Sequence, residues 1–236
     1  MDFSLVRDNL AQLREVVSQV QAQHGLTNDV RIIAVTKGHT DEAIKAAYAA
    51  GLKDVGENRV QEALGKRERT ADVGVDWHLI GHLQTNKAKA VPGIFTWVQS
   101  VDSLKIAEAL SKSWQKWNEN SGEGESVPLK VLIQVNVAGE EQKTGCSVDE
   151  APEVVNRVSE LPGLDVRGMM TMAPFVDDEK IRRETFCGLR ILRDRIETDG
   201  LKLPELSMGM SQDFPEAVAE GATMVRVGTV LFGGRS

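Results

Sequence analysis

Cysteine is scarce: only Cys146 and Cys187 occur in 236 residues. Two are too few for a disulfide framework, and no Cys-x-x-Cys spacing offers zinc or redox chemistry. Both read as ordinary reduced thiols, and no metal site is expected. No stretch approaches the ~18 apolar residues that a membrane span requires. The start of the chain, MDFSLVRDNLAQLREVV, lacks the basic head and continuous apolar core of a secretion signal, so residence in the cytoplasm is the expectation. Positive charge is also in deficit. With 28 Lys and Arg against 35 Asp and Glu, the net charge of −7 argues against a nucleic-acid partner, while leaving room for one local basic pocket. Two phosphate-binding signatures are missing as well: no Gly-x-Gly-x-x-Gly follows a strand, and no Gly-Lys-Ser/Thr occurs.

What is present is the balance of an ordinary globular chain, 41% hydrophobic and 27% charged, able to bury a full core without staples. Leu10, Leu13, Val17 and Val20 recur at spacings of three and four, which predicts an amphipathic helix. After it a β-branched run, a turn and a helix alternate. The runs are Arg31–Thr36, Asp54–Gly56, Trp77–Ile80, Phe95–Gln99, Leu129–Val135, Asp165–Met170, Glu205–Met208 and Thr223–Val227. Helices are expected over Asp41–Ala50, Val60–Arg67, Asn86–Ala90, Ser103–Trp117, Asp149–Leu161, Lys180–Thr198 and Phe214–Glu220, with a last short turn at Val230–Gly233. Asn118–Val127, polar and acidic, reads as a loop. Strands alternating with helices pair in parallel through right-handed crossovers. Eight such units predict an α/β chain folded as a single (β/α)8 TIM-type barrel over residues 31–236, preceded by an N-terminal helix and lead-in over 1–30. An open doubly wound sheet is the alternative.

In such a barrel, chemistry sits at the C-terminal ends of the strands. Lys37 follows the first strand, where apolar walls disfavour the ammonium and free the amine as a nucleophile toward aldehydes. The plainer reading is a lysine that snorkels to solvent. Ser211 follows strand seven, and Gly228 and Thr229 follow strand eight, at the ends where these barrels commonly bind phosphate. Helix capping is the plainer account of the two hydroxyls. Arg226, inside the last strand, must be paired or hydrogen-bonded if buried. Asn58 ends strand two and is either a ligand-facing amide or a strand terminator. His78 is expected to face away from the mouth, and His82 to satisfy local structure. The four tryptophans read as core.

Several strings are similar to those of one family. These are Val35-Thr-Lys37, Val55-Gly-Glu-Asn58 with Val60-Gln-Glu62, and His78-Leu-Ile-Gly-His-Leu-Gln-Thr-Asn-Lys87. Further along come Gly168-Met-Met-Thr-Met172, Leu206-Ser-Met-Gly-Met-Ser211-Gln-Asp213, and Val225-Arg-Val-Gly-Thr229 with Phe232-Gly233. Running in order from about Arg31 to Arg235, they resemble the pyridoxal phosphate homeostasis proteins (the YggS/PROSC group). The resemblance implies a fold-type III barrel like the N-terminal domain of alanine racemase. It implies pyridoxal 5′-phosphate held as an aldimine on Lys37, its phosphate near Ser211, Gly228 and Thr229, Arg226 beside the ring nitrogen, and Asn58 on the cofactor. Gly38-His39 departs from the hydroxyl residue usual after the lysine, and the 118–127 insertion is longer than usual.

The implied role is to buffer or deliver the cofactor, with no catalytic residue assigned and pyridoxal-phosphate-dependent apo-enzymes as transient recipients; a monomer is expected. The rival is a racemase-type enzyme, which would need a tyrosine opposite Lys37 from a second domain, whereas Tyr48, the one tyrosine, lies in the first barrel helix. A sugar-phosphate enzyme using Lys37 for a Schiff base is a third reading, but it leaves the family strings unexplained.

Overall fold

The structure, a computed structural model, describes residues 3–121, 127–140, 142, 144–198 and 200–234. Helix α1 (Val6–His24) buries Val6, Leu10, Leu13 and Val17, so the predicted stripe faces the protein, with Val20 half-buried at its edge. Gly25, at φ 64°, ends it in the left-handed conformation that glycine adopts without steric cost, donating its N–H to Gln21 O.

Eight strands follow: β1 (Arg31–Val35), β2 (Asp54–Glu57), β3 (Asp76–Leu79), β4 (Trp97–Val101), β5 (Leu129–Gln134), β6 (Leu164–Met170), β7 (Glu205–Met210) and β8 (Met224–Val227). Each pairs in parallel with its neighbours in sequence order, and β8 returns to β1 with Arg31 opposite Met224 and Ala34 opposite Val227. The sheet is therefore a closed barrel, as the alternation of elements predicts. No edge is left exposed for pairing with another chain.

The crossovers are α2 (Glu42–Ala49), α3 (Val60–Arg69), α4 (Leu104–Ser121), α5 (Ala151–Ser159), α6 (Glu179–Ile196) and α7 (Phe214–Ala219), and the short α8 (Thr229–Phe232) follows β8. Between β3 and β4 the expected helix is instead a six-residue 3₁₀ segment, Thr85–Ala90. With Ala88 alone buried there, the segment has no apolar stripe to hold a longer α-helix against the sheet. The expected loop at 118–127 also starts later. Asn118–Ser121 continue α4, residues 122–126 lie outside the described part, and Val127 follows exposed. Helix α1 packs on α7 and α8, across the seam where the barrel closes, and Asn9 Nδ2 donates to Leu231 O at 3.0 Å.

Two apolar layers result. The larger lies between sheet and helices. The smaller joins Ile33, Trp97, Leu132, Met170 and Met224, one residue from each of five strands. Side chains from five strands of a closed sheet can meet only across its lumen, so this layer fills the barrel. Trp97 is thus lumenal, and Trp77 is buried in the outer layer. Trp114 and Trp117, expected in the core, are only half-buried on α4.

Candidate functional site

The register places the strand ends beside one another. Val35 pairs with Gly56 on one side, and Ala34 with Val227 on the other. Continuing two residues past Val35, Lys37 emerges between Asn58 and the start of α8. Gly228 is part of that closeness, since a Cβ there would stand 3.2 Å from Val35 O.

Lys37 itself is half-buried, and the backbone on both sides of it is pinned. Lys66 Nζ on α3 donates to Thr36 O at 2.7 Å, and the Gly38 N–H donates to Glu62 Oε1 at 2.8 Å. Gly38 accepts φ 72° without strain. Beneath them, Thr36 Oγ1 donates to Glu57 Oε1 at 2.6 Å, and Lys66 reaches the same oxygen at 2.7 Å and Glu62 Oε1 at 3.0 Å. Burial pushes the Glu57 carboxyl above its ordinary range, against the pull of Lys66 and Thr36. Its Oε2 is buried with no hydrogen-bond partner among the described residues.

Sequence reasoning missed Lys66 as part of this cluster. The signal was there: Val60, Ala63, Lys66 and Thr70 recur at spacings of three and four, and all four are buried. A lysine on an apolar stripe needs a buried partner.

Asn58 sits half-buried at the bend after β2, against Gly81 at the end of β3. A Cβ on Gly81 would stand 2.4 Å from Asn58 O and 2.7 Å from its Cα, and Ser100 Oγ donates to Gly81 O at 2.7 Å. Backbone on both sides leaves no soft atom to yield. Gly81→Ala is therefore expected to displace Asn58 and cost about 1–3 kcal/mol, the range of core overpacking. Urea-unfolding midpoints check it, and an unchanged midpoint would show that the two loops separate freely. His82 is half-exposed and pairs through Nδ1 with Asp102 Oδ2 at 3.1 Å, a side-chain rather than backbone partner.

On β8, the other neighbour of β1, Arg226 is buried at 4% exposure. One terminal nitrogen donates to Ser207 Oγ at 2.6 Å and the other to Thr171 O at 2.9 Å. Burial pulls this guanidinium down to about 10, opposed by the negative charge of Asp213, and it remains a cation at neutral pH. Asp213 is engaged elsewhere, accepting from the Met210 N–H at 2.6 Å. Ser211 links two loops: its Oγ accepts from the Gly228 N–H at 3.2 Å and the Val230 N–H at 3.3 Å, so it caps α8 rather than the helix that follows it. Thr229 is exposed at the first position of α8. The structure thus gathers Lys37, Asn58, Ser211, Arg226, Gly228 and Thr229 around one end of the barrel. Cys146 is buried, and burial pushes its thiol up to about 12, which makes it inert as a nucleophile.

Such a barrel, with a lysine leaving β1 and an arginine in β8, is of the class described by the alanine racemase N-terminal domain, whose family model matches residues 8–236. An alanine racemase from Corynebacterium glutamicum superposes on the whole of this chain with TM-score 0.72 at 16% identity, over 62% of its own length; the fold is shared. Within that class, the chain belongs to the pyridoxal phosphate homeostasis protein family. The Pseudomonas aeruginosa protein of that name is 40% identical over 234 residues, 99% of this chain and 97% of its own. The Aquifex aeolicus one is 41% identical over 209 residues, 88% of each chain. The structure of PipY from Synechococcus elongatus with PLP bound has TM-score 0.82 at 37% identity, covering 97% of this chain and all of its own.

Proposed function

We propose that this protein binds pyridoxal 5′-phosphate at the barrel mouth, with the aldehyde carbon linked to Lys37 Nζ, and that it buffers and delivers the cofactor rather than turning over amino acids. The residues fit the group. The Ser211 and Thr229 hydroxyls at the start of α8 suit a phosphate, which would take over the Gly228 and Val230 N–H groups now donating to Ser211 Oγ. Asn58 and Arg226 would hold the ring, the arginine on the side of its nitrogen. The relatives' name and the PLP-bound PipY structure support this reading. When bound, the cofactor supplies an electrophilic carbon and a conjugated ring.

Arg226 carries the non-catalytic part of the proposal. A buried cation at the ring nitrogen keeps that nitrogen unprotonated, which weakens the ring as an electron sink. Tyr48 lies near the C-terminal end of α2, 44% exposed, so no tyrosine base faces Lys37 among the described residues. We further place the protein in the cytoplasm as a one-domain monomer that meets recipient apo-enzymes transiently. Among the described residues no helix is long and apolar enough to cross a membrane.

Absorbance before and after borohydride, followed by peptide mapping, tests the site. A yellow protein labelled irreversibly at Lys37 is expected. A protein that stays colourless with added pyridoxal phosphate overturns the proposal. Ser211→Ala with Thr229→Ala should weaken retention more than either alone, since each charge-assisted hydrogen bond is worth roughly 1.5–3 kcal/mol. Equal dialysis affinities for wild type and the double variant would move the phosphate elsewhere.

A further inference from the structure

The barrel lumen holds a column of polar side chains that the site above does not explain. It runs from Arg226 on β8 through Ser207 on β7, Gln99 on β4 and His78 on β3 to Asp54 on β2. The successive distances are 2.6, 2.6, 2.9 and 2.9 Å, and Ser207, Gln99 and His78 are 0% exposed.

Donor chemistry orients the whole column. Arginine only donates, so Ser207 Oγ accepts, and its own proton goes to Gln99 Oε1. The Gln99 amide nitrogen also only donates, so His78 Nδ1 accepts, and Nε2 carries the proton toward Asp54 Oδ1. Reversing the amide would require a doubly protonated imidazole in the dry lumen. Burial opposes that charge and lowers the affinity of His78 for a second proton, against the pull of Asp54. Arg31 and Asp76 also act on this ring electrostatically, while the Trp97 indole stacks on it at an interplanar angle of 8°. Lys130 stands over the same indole, with Nζ 5.2 Å from its centroid. The Asp54 end opens on a cavity of about 520 Å³ beside α1, away from the mouth.

We propose that Asp54, His78 and Gln99 are positioning residues for Arg226: this one-way chain of hydrogen bonds, cation at one end and carboxylate at the other, holds the guanidinium where it faces the cofactor ring. The inference rests on the pocket reading above only for what Arg226 faces; the column itself belongs to the protein alone. A simple space-filling role is served more cheaply by branched apolar residues, the usual filling of such barrels.

Two measurements on the cofactor-free protein come first. Ring ¹⁵N shifts should show His78 neutral with its proton on Nε2 between about pH 5 and 8, the range where histidine ordinarily titrates. A proton on Nδ1, or a second proton taken up in that range, overturns the orientation. Exchange of the Arg226 Nη protons should be about tenfold faster in Gln99→Met, and faster in Asp54→Asn, a change of one hydrogen bond's size. Unchanged exchange overturns the positioning role. With pyridoxal phosphate added, Gln99→Met should shift the absorbance maximum and weaken retention about five- to tenfold. Val155→Ala, a loss in the outer layer, should lower the melting temperature without either change. Gln99→Met behaving like Val155→Ala would reduce the column to packing. Wild type that fails to bind the cofactor, with the cofactor-free results as expected, would sink the pocket reading and spare the column.

Discussion

Lys37→Ala is expected to give a folded protein that takes no label from borohydride in the presence of pyridoxal phosphate. The amine is the one group in the candidate site able to form a covalent link to an aldehyde. Its removal leaves the clamps around it intact, because Lys66 and Glu62 bind the Thr36 carbonyl and the Gly38 N–H rather than the Lys37 side chain. A half-buried side chain at a strand end is not a core anchor, so the stability change should stay within about 1 kcal/mol, or roughly 2–4 °C in a chain of this size. Reduction and mass mapping read the first quantity, and thermal unfolding the second. A variant that unfolds would make Lys37 structural. A variant that still takes the label at another lysine would move the site.

Lys66→Met should produce the largest loss of stability. The lysine is 3% exposed and satisfies Glu57, itself 0% exposed, together with Glu62 and the Thr36 carbonyl. Removing one partner of a buried pair costs about 3–5 kcal/mol, because the other charge is left without compensation. That corresponds to roughly 10 °C. Changing Glu57 to Gln in the same background should recover much of it.

The pH dependence has a definite sign. Burial raises the Glu57 carboxyl in the folded protein, so the fold binds that proton more tightly than the unfolded chain and loses stability as pH rises through the acid range. Without Lys66 the rise is larger. Glu62, held below its ordinary range partly by Lys66, loses that support in the variant, which changes the difference in the same direction. The deficit of Lys66→Met against wild type should therefore be smaller at about pH 5 than at about pH 8. Denaturant midpoints at the two values decide it. A deficit that grows on acidification would exclude Glu57 as the stranded charge.

Much of the architecture was legible beforehand, because period-two and period-3.6 patterns are local. The run Leu129–Val135 reads as a strand with no knowledge of its neighbours, and the stripe of α1 reads as a helix in the same way. Boundaries were less so. The segment after β3 reads like any short helix, and its single buried side chain, Ala88, gives no apolar stripe to hold an α-helix there. The strand-end rule picked out Lys37, Asn58 and the loops after β7 and β8, and closure of the barrel brought these positions to one rim. Lys66 escaped, since a charged residue on an amphipathic helix ordinarily faces solvent, and its burial depends on Glu57 and the Thr36 carbonyl, which it reaches only after β2 docks beside β1.

The sequence by itself determined the order of elements, the parallel pairing of the strands, and which residues lie at their C-terminal ends. Each follows from hydrophobic period, turn chemistry and the handedness of crossovers, which act over a few residues. That the sheet closes is settled by the pairing of β8 with β1. The tertiary structure alone decided what those residues meet. Gln99 and Ser207 stand 108 positions apart, yet share a 2.6 Å hydrogen bond. His78, Arg226 and Asp54 join them only because a closed sheet turns alternate side chains of every strand into one dry lumen. There each polar group must find a partner or lose the hydrogen bonds it had in water. The direction of that column is set by which atoms can donate, a fact of composition. That these atoms line up at all is a fact of the fold.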